Sequence, residues 1–148
     1  GEPNMALVLR TSIIGPECRN FYNLLCWTLA QSHIDGYTGH LWNGVTTLEA
    51  AHVINRIIEH ELFTDGVRHI FAGDCSKFDL VQMICGAFGH TAQISPSVAP
   101  APRDTRLRTN YPEFIQAFGI RPMQEQLRQL REVSGPDGHW INDGSSVE

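Results

Sequence analysis

Apolar residues run almost unbroken from Ala6 to Ile14, the pattern of a strand covered on both faces of a parallel sheet. Gly15-Pro16 breaks the run, and from Glu17 to about Ser32 the positions Phe21, Leu24, Leu25 and Thr28 keep the spacing of one helix face. Asp35-Gly36 opens a short extended piece through Tyr37 to Trp42. Thr46-Thr47-Leu48-Glu49 has the Thr-x-x-Glu form of a capping box, in which the two side chains satisfy orphan N–H groups at a helix start. The helix it predicts carries Ala50, Val53, Ile54, Ile57 and Ile58 on one side, runs to about Leu62, and is ended by Thr64-Asp65-Gly66. Val67 to Ala72 predicts a second buried strand. Ser76 to Asp79 nearly repeats the capping pattern ahead of a helix with Val81, Ile84, Cys85 and Phe88, which stops at Gly89. Thr91 to Ser95 is extended, Pro96 to Pro102 is loop, and Arg106 to Thr109 predicts a short strand. Tyr111–Phe118 and Met123–Glu132 complete the order as two helices, with Pro122 placed where a helix begins. Residues 133–148 are polar and glycine-rich and predict a flexible tail, with Trp140 and Ile141 as its anchoring candidates.

Strand–helix alternation is the signature of an α/β fold, and residues 6–132 read as a single domain. Two buried strands alone do not make a stable parallel sheet. The expected fold is therefore partial, with a few strands, four to five helices and a strand edge that wants pairing.

Composition narrows the partners. The chain has 148 residues, is 42% hydrophobic and 18% charged, ordinary for a folded domain. A net charge of −5 argues against nucleic acid, which calls for a basic face. No apolar run is long enough to span a membrane, and residues 1–20 lack the basic-then-apolar order of a signal peptide, so the expected location is the cytoplasm. Cys18, Cys26, Cys75 and Cys85 show no Cys-x-x-Cys spacing and read as reduced thiols. His60-Glu61 begins a His-Glu-x-x-His motif, but Thr64 takes the second ligand position, and the seven histidines predict no metal site.

Three clusters carry candidate chemistry. Arg103, Arg106 and Arg108 fall within six positions, and arginine's planar fork suits phosphate or carboxylate; the competing reading is a surface cluster bonded to Asp104 and Glu113. Trp42-Asn43-Gly44 offers a stacking face and an amide for a sugar or base, or else a turn in which Asn-Gly takes positive φ while Trp42 packs inward. Arg10-Thr11-Ser12 closes the first strand, and in parallel α/β sheets ligands sit beyond the carboxyl ends of strands.

The segment Leu9-Arg10-Thr11-Ser12-Ile13-Ile14-Gly15-Pro16-Glu17, followed in order by Gly36-Tyr37-Thr38, Trp42 to Glu49, Ser76 to Leu80 and Arg103 to Leu107, resembles the second half of the extended short-chain dehydrogenase/reductase enzymes that modify nucleotide sugars. The similarity points to the dTDP-4-dehydrorhamnose reductase-like, NAD-dependent epimerase/dehydratase branch and covers roughly residues 6–130. It implies a Rossmann-like fragment without the glycine-rich dinucleotide-binding half. Arg103, Arg106, Trp42 and Asn43 are then the expected substrate-binding residues, and Arg10, Thr11 and Ser12 the expected cofactor-side residues. Ile13-Ile14 departs from the family, where hydrogen-bonding side chains precede the glycine.

The family's cofactor is NAD(P), bound through a Gly-x-Gly-x-x-Gly or related turn, and its proton donor is a Tyr-x-x-x-Lys pair. Neither occurs here: the fourth positions after Tyr22, Tyr37 and Tyr111 are Cys26, Leu41 and Ile115. No catalytic residue and no cofactor are therefore expected on this chain alone. The expectation is a nucleotide-sugar-binding portion, completed as a homodimer or by a companion chain carrying the other half. The alternatives are a non-enzymatic oligomeric or partner-binding module, and a truncated product without ligand.

Overall fold

A computed structural model describes residues 5–17, 22–136 and 138, leaving Cys18, Trp140 and Ile141 outside the described residues. Among the described residues the chain forms nine short strands and five helices in α/β order. The expected continuous strand from Ala6 to Ile14 is instead two, β1 (Leu7–Arg10) and β2 (Ile13–Ile14). They separate because the chain changes neighbours at Thr11-Ser12. β1 lies parallel to β6 (Gly66–His69), whereas β2 lies parallel to β5 (Val45–Thr46). Two further ladders follow. β3 (His33–Tyr37) runs parallel to β8 (Gln93–Ser97). β4 (His40–Trp42) sits between β7 (Cys75–Ser76), antiparallel, and β9 (Arg103–Asp104), parallel. β9 corrects the strand expected at Arg106–Thr109: the backbone pairing stops at Thr105, whose N–H donates to Leu41 O at 3.0 Å.

Helix α1 (Leu24–Leu29) begins at Asn23, whose Oδ1 accepts from Cys26 N–H. Helix α2 (Thr47–Glu59) begins at Thr46 as its sequence requires, with Thr46 Oγ1 accepting from Glu49 N–H at 3.1 Å. The reciprocal half of the box is missing, because Gln126 Oε1 takes the Thr46 N–H at 2.9 Å and Glu49 turns to Arg121. α2 stops three residues earlier than expected: Glu61 takes φ 51°, Leu62 N–H reaches back to Ile57 O at 2.9 Å, and Glu61 N–H to Ile58 O. This is a Schellman turn with glutamate where glycine is usual. Helix α3 (Lys77–Phe88) has the complete capping box from Ser76 and Asp79 and ends at Gly89, φ 65°. Helices α4 (Pro112–Gln116) and α5 (Met123–Ser134) follow. α5 runs two residues beyond the expected Glu132, and Ser134 is buried, its hydroxyl donating to Leu130 O.

Two apolar clusters place these elements. Leu25, Leu80, Ile84, Phe88, Met123, Leu127 and Leu130 join α1, α3 and α5 around Ile14. Val45, Val53, Ile57, Ile70 and Phe118 pack α2 on the β1–β6 ladder through Leu7 and Leu9. The opposite face of that ladder is bare: Val8 and Val67 are aligned in register and are 49% and 40% exposed. The strands expected to be covered on both faces are covered on one. No helix among the described residues is long and apolar enough to cross a membrane.

Glu49 clamps α2 to the start of α5. It is 3% exposed and accepts from Arg121 Nε at 2.8 Å, Nη2 at 2.5 Å and the Arg121 N–H at 3.2 Å. Arg121 Nη2 also touches His52 Nδ1, and Gln126 Nε2 donates to Arg121 O at 2.6 Å. Removing one partner of such a pair strands the other. Because Arg121 keeps partial access to water, Glu49→Ala is expected to cost about 2–3 kcal/mol, below the fully buried limit. Urea denaturation measures it, and a cost below about 0.5 kcal/mol would place the pair with ordinary surface ion pairs.

Candidate functional site

The pocket that brings two of the sequence candidates, Trp42 and Arg103, together lies where β2, β4 and β9 meet the starts of α1 and α3. It is a cavity of about 330 Å³, walled by Ile13, Ile14, Leu24, Leu41, Trp42 and Leu80 and rimmed by Asn23, His40, Lys77, Arg103 and Thr105. Among the described residues two cations line it and no carboxylate does, in a chain of net charge −5. Lys77, the only lysine in the sequence, stands at the first turn of α3 with Nζ 5.3 Å from the Trp27 ring and 5.7 Å from that of Tyr37. Cation–π attraction holds it there. The Tyr37 and His40 rings meet at 4.8 Å.

Trp42 and Ser12, assigned to different roles from sequence, are joined: Trp42 Nε1 donates to Ser12 Oγ at 2.7 Å. The expected positive φ at Asn43-Gly44 is absent. Gly44 is required by space, since a Cβ there would lie 2.0 Å from Ser12 O and 2.2 Å from the Trp42 ring. Asn43 does not face the pocket. It is 1% exposed, its amide donates to Leu107 O at 3.0 Å and Asp74 Oδ1 at 3.2 Å, and its carbonyl oxygen accepts from Leu107 N–H at 2.7 Å. Its hydrogen-bonding capacity goes into holding the arginine loop on β4.

The three arginines part company. Arg103 lies on β9, pinned by its N–H to Gly39 O at 3.0 Å, and lines the pocket; among the described residues its guanidinium has no ion-pair partner. Arg106 grips Asp104 through Nε at 2.9 Å and Nη2 at 2.7 Å, and Asp74 through Nη1 at 2.8 Å. Arg108 donates to both Asp74 oxygens, at 3.3 and 3.2 Å. The partner anticipated as Glu113 is thus Asp74, brought in by the fold. Arg10 and Thr11 are exposed at the end of β1. Asp74 and Lys77 are not singled out by sequence patterning, although Lys77 is the sole lysine of the chain.

The network sets the protonation of its members. Burial works to raise the Asp74 pKa, but hydrogen bonds from Arg108 and Arg106 outweigh it and hold the carboxyl below its ordinary value. Hydrogen bonds from Arg106 lower Asp104 further, and Asp104 in turn raises Arg106. Burial, reinforced by Asp79 and Asp74, pushes the Cys75 thiol up to about 11, so it is no thiolate nucleophile at neutral pH.

The cofactor implied by the resemblance is NAD(P), and none of α1, α2 and α3 begins with the glycine-rich turn that holds it. Dinucleotide pyrophosphate needs a glycine-lined turn with free helix N–H groups. Here the first turns of α1, α2 and α3 are closed by Asn23, Thr46 and Ser76 side chains. No group of three or more His, Cys, Asp or Glu among the described residues is placed to hold a metal.

A carboxylate whose pKa is lower when folded adds stability above its unfolded pKa and loses it as pH falls through the folded one. The Asp74 contribution is therefore expected in full above about pH 4 and to fade below it. Urea midpoints of the wild type and Asp74→Asn should converge between pH 5 and pH 2.5 (roughly the carboxylate range); a constant gap would place the stabilisation elsewhere.

Comparison with known proteins returns structures only: no family model matches the chain, and neither does any curated protein sequence. A dTDP-4-dehydrorhamnose reductase from Clostridium acetobutylicum superposes with TM-score 0.66 at 19% identity, over 85% of this chain and 48% of its own. The enzyme of the same name from Bacillus anthracis, in complex with NADP, gives 0.62 at 18%, over 84% and 47%. A GDP-L-fucose synthetase from Naegleria fowleri gives 0.59 at 13%, over 86% and 45%. The chain spans about half the length of each. Its architecture is that of a Rossmann-like α/β fragment, the fold of about half of each of these reductase and synthetase chains.

Proposed function

We propose that the chain is the nucleotide-sugar-binding portion of a reductase or epimerase of this kind and that it does not turn over substrate alone. The observation that carries the reading is the 330 Å³ pocket, lined among the described residues by two cations and no carboxylate, in an acidic protein. Arg103 and Lys77 suit the phosphates. The apolar walls and the Trp42 ring suit the flat part of the ligand. Arg10, Thr11 and Ser12, at the carboxyl end of β1, are on the side where a cofactor brought by a companion would approach. Cys26, Cys75 and Cys85 are unpaired thiols, which fits the cytoplasm.

Calorimetry with dTDP- and UDP-sugars tests the reading. Arg103→Ala is expected to weaken binding by about 1.5–3 kcal/mol, the worth of a charge-assisted hydrogen bond. Unchanged affinity would remove Arg103 from the site, and no binding by the wild type would remove the reading.

A second reading, an assembly module, is favoured by the bare β1–β6 ladder. Val8 and Val67 lie on an uncovered face, and among the described residues β1 and β6 form a sheet of two strands. Association with a second copy, or with a companion chain, covers that face and pairs the free edges. The purified chain is expected to sediment at twice 16.6 kDa or more and to oxidise NADPH at the buffer rate with a 4-keto nucleotide sugar present. A well-folded monomer would defeat the association, and turnover above the blank would defeat the division of labour.

A further inference from the structure

Resting on the reading of the chain as an assembly module, we propose that its partner is a second copy, joined antiparallel through β1 about a two-fold axis beside Val8. The two edges of the β1–β6 ladder are not alike. The outer edge of β6 is guarded: Arg68 Nη1 donates to Val67 O at 3.0 Å, its guanidinium lies 3.8 Å from the Tyr111 ring, and His69 Nδ1 reaches Arg108 O at 2.5 Å. A charged side chain over an edge blocks pairing there. β1 has no such cover. Gly66 N–H binds Ala6 O and Ile70 N–H binds Arg10 O, so by strand alternation the backbone groups of Ala6, Val8 and Arg10 face β6. Those of Leu7 and Leu9 point to the open edge, and among the described residues nothing pairs with them.

Helix α2 overhangs that same edge. At about 100° per residue, Val53 and Ile57 face the ladder, while His52 and Arg56 turn to Arg121 and Phe118 O, on the flank where Arg68 of β6 meets Tyr111. Ile54 and Ile58 lie on the other flank, above β1, and are 45% and 59% exposed.

Pairing centred on Val8 satisfies these features together. Leu7 of each copy exchanges backbone bonds with Leu9 of the other, and the two Val8 residues form the close pair without hydrogen bonds on the bare face. The axis sets the two α2 helices at twice the strand spacing, about 9.6 Å, within the roughly 8–10 Å of packed helices. Ile54 and Ile58 of both copies then lie between them. Arg10 of one copy stands opposite Ala6 of the other, whose N–H is held by Asp65 Oδ1 at 3.0 Å. Neither Arg10 nor Asp65 has an ion-pair partner among the described residues, and the symmetry forms that pair twice.

Sedimentation equilibrium and mild oxidation of the purified chain test this. The wild type is expected at twice 16.6 kDa. Val8→Cys should cross-link at position 8, read by peptide mass spectrometry, because the facing Cα atoms stand about 4.5 Å apart; Arg10→Cys should not. Ile54→Asp with Ile58→Asp should weaken association about a hundredfold. Arg10→Glu should weaken it about tenfold, and adding Asp65→Lys should restore it. A dimer that gives no Val8→Cys cross-link, or that is indifferent to the two isoleucine changes, overturns this interface and leaves the assembly reading standing. Should the isoleucine variant lose its cooperative melt, the charge exchange decides, and a failure of Asp65→Lys to restore association overturns the interface. A 16.6 kDa species that joins only a different chain overturns the second copy as partner. One that joins nothing removes the assembly reading as well.

Discussion

The close approach of the chain at Ser12 and Gly44 is the constraint on which the rest of the site depends. Without a side chain at Gly44, the Ser12 carbonyl can lie against the backbone and accept from Val45 N–H at 2.9 Å. That contact starts the β2–β5 ladder and brings Trp42 within reach of the Ser12 hydroxyl. One residue earlier, Asn43 accepts from Ala72 N–H through its backbone oxygen at 2.7 Å and binds Leu107 through its side chain. A single dipeptide therefore ties together the end of the first strand, the β6–β7 connection and the arginine loop. Any side chain at position 44 would push these three apart, and the pocket between them would lose its wall.

Charge is used differently on the two sides of the molecule. Between α2 and α5 the Glu49 carboxylate is buried, and its desolvation is offset by three donors from Arg121. A well-bonded pair of this kind fixes geometry more than it adds net stability. Its geometric effect is visible: it draws Glu49 out of the capping box and leaves the Thr46 N–H to Gln126. Around Asp74 the groups are half in water, where orientation is gained at little energetic cost. There Arg106 and Arg108 are bonded to Asp74 and Asp104, while Arg103 lines the pocket.

The fold also explains why a chain spanning about half of its structural neighbours holds together. The apolar clusters are built from α1, α2, α3 and α5 against short ladders. The β1–β6 pair has one face toward α2 and the other uncovered. Burial, not strand propensity, decides where the core lies: Val53 and Ile57 reach it, while Ile54 and Ile58, equally apolar and one position further round α2, do not.

Local signals were legible because they act within a few residues. Ser76 and Asp79 close their capping box, Pro122 stands where α5 begins, and Gly89 ends α3 in the left-handed conformation. The α/β order followed from periodicity of the same range. What sequence alone misjudged depended on partners far along the chain. The break in the first strand comes from β2 exchanging β6 for β5, the half-box at Thr46 from Gln126 eighty residues on, and the strand at Arg103–Asp104 from pairing with β4. Asn43 carries the side chain of a ligand contact, and burial made it a brace; Arg106 carries the charge of one, and Asp74 took it up. The sequence determined which residues could bind an anion. Only the tertiary structure decided which of them remain unpaired and face a cavity, because pairing and exposure are set by neighbours that sequence spacing does not reveal.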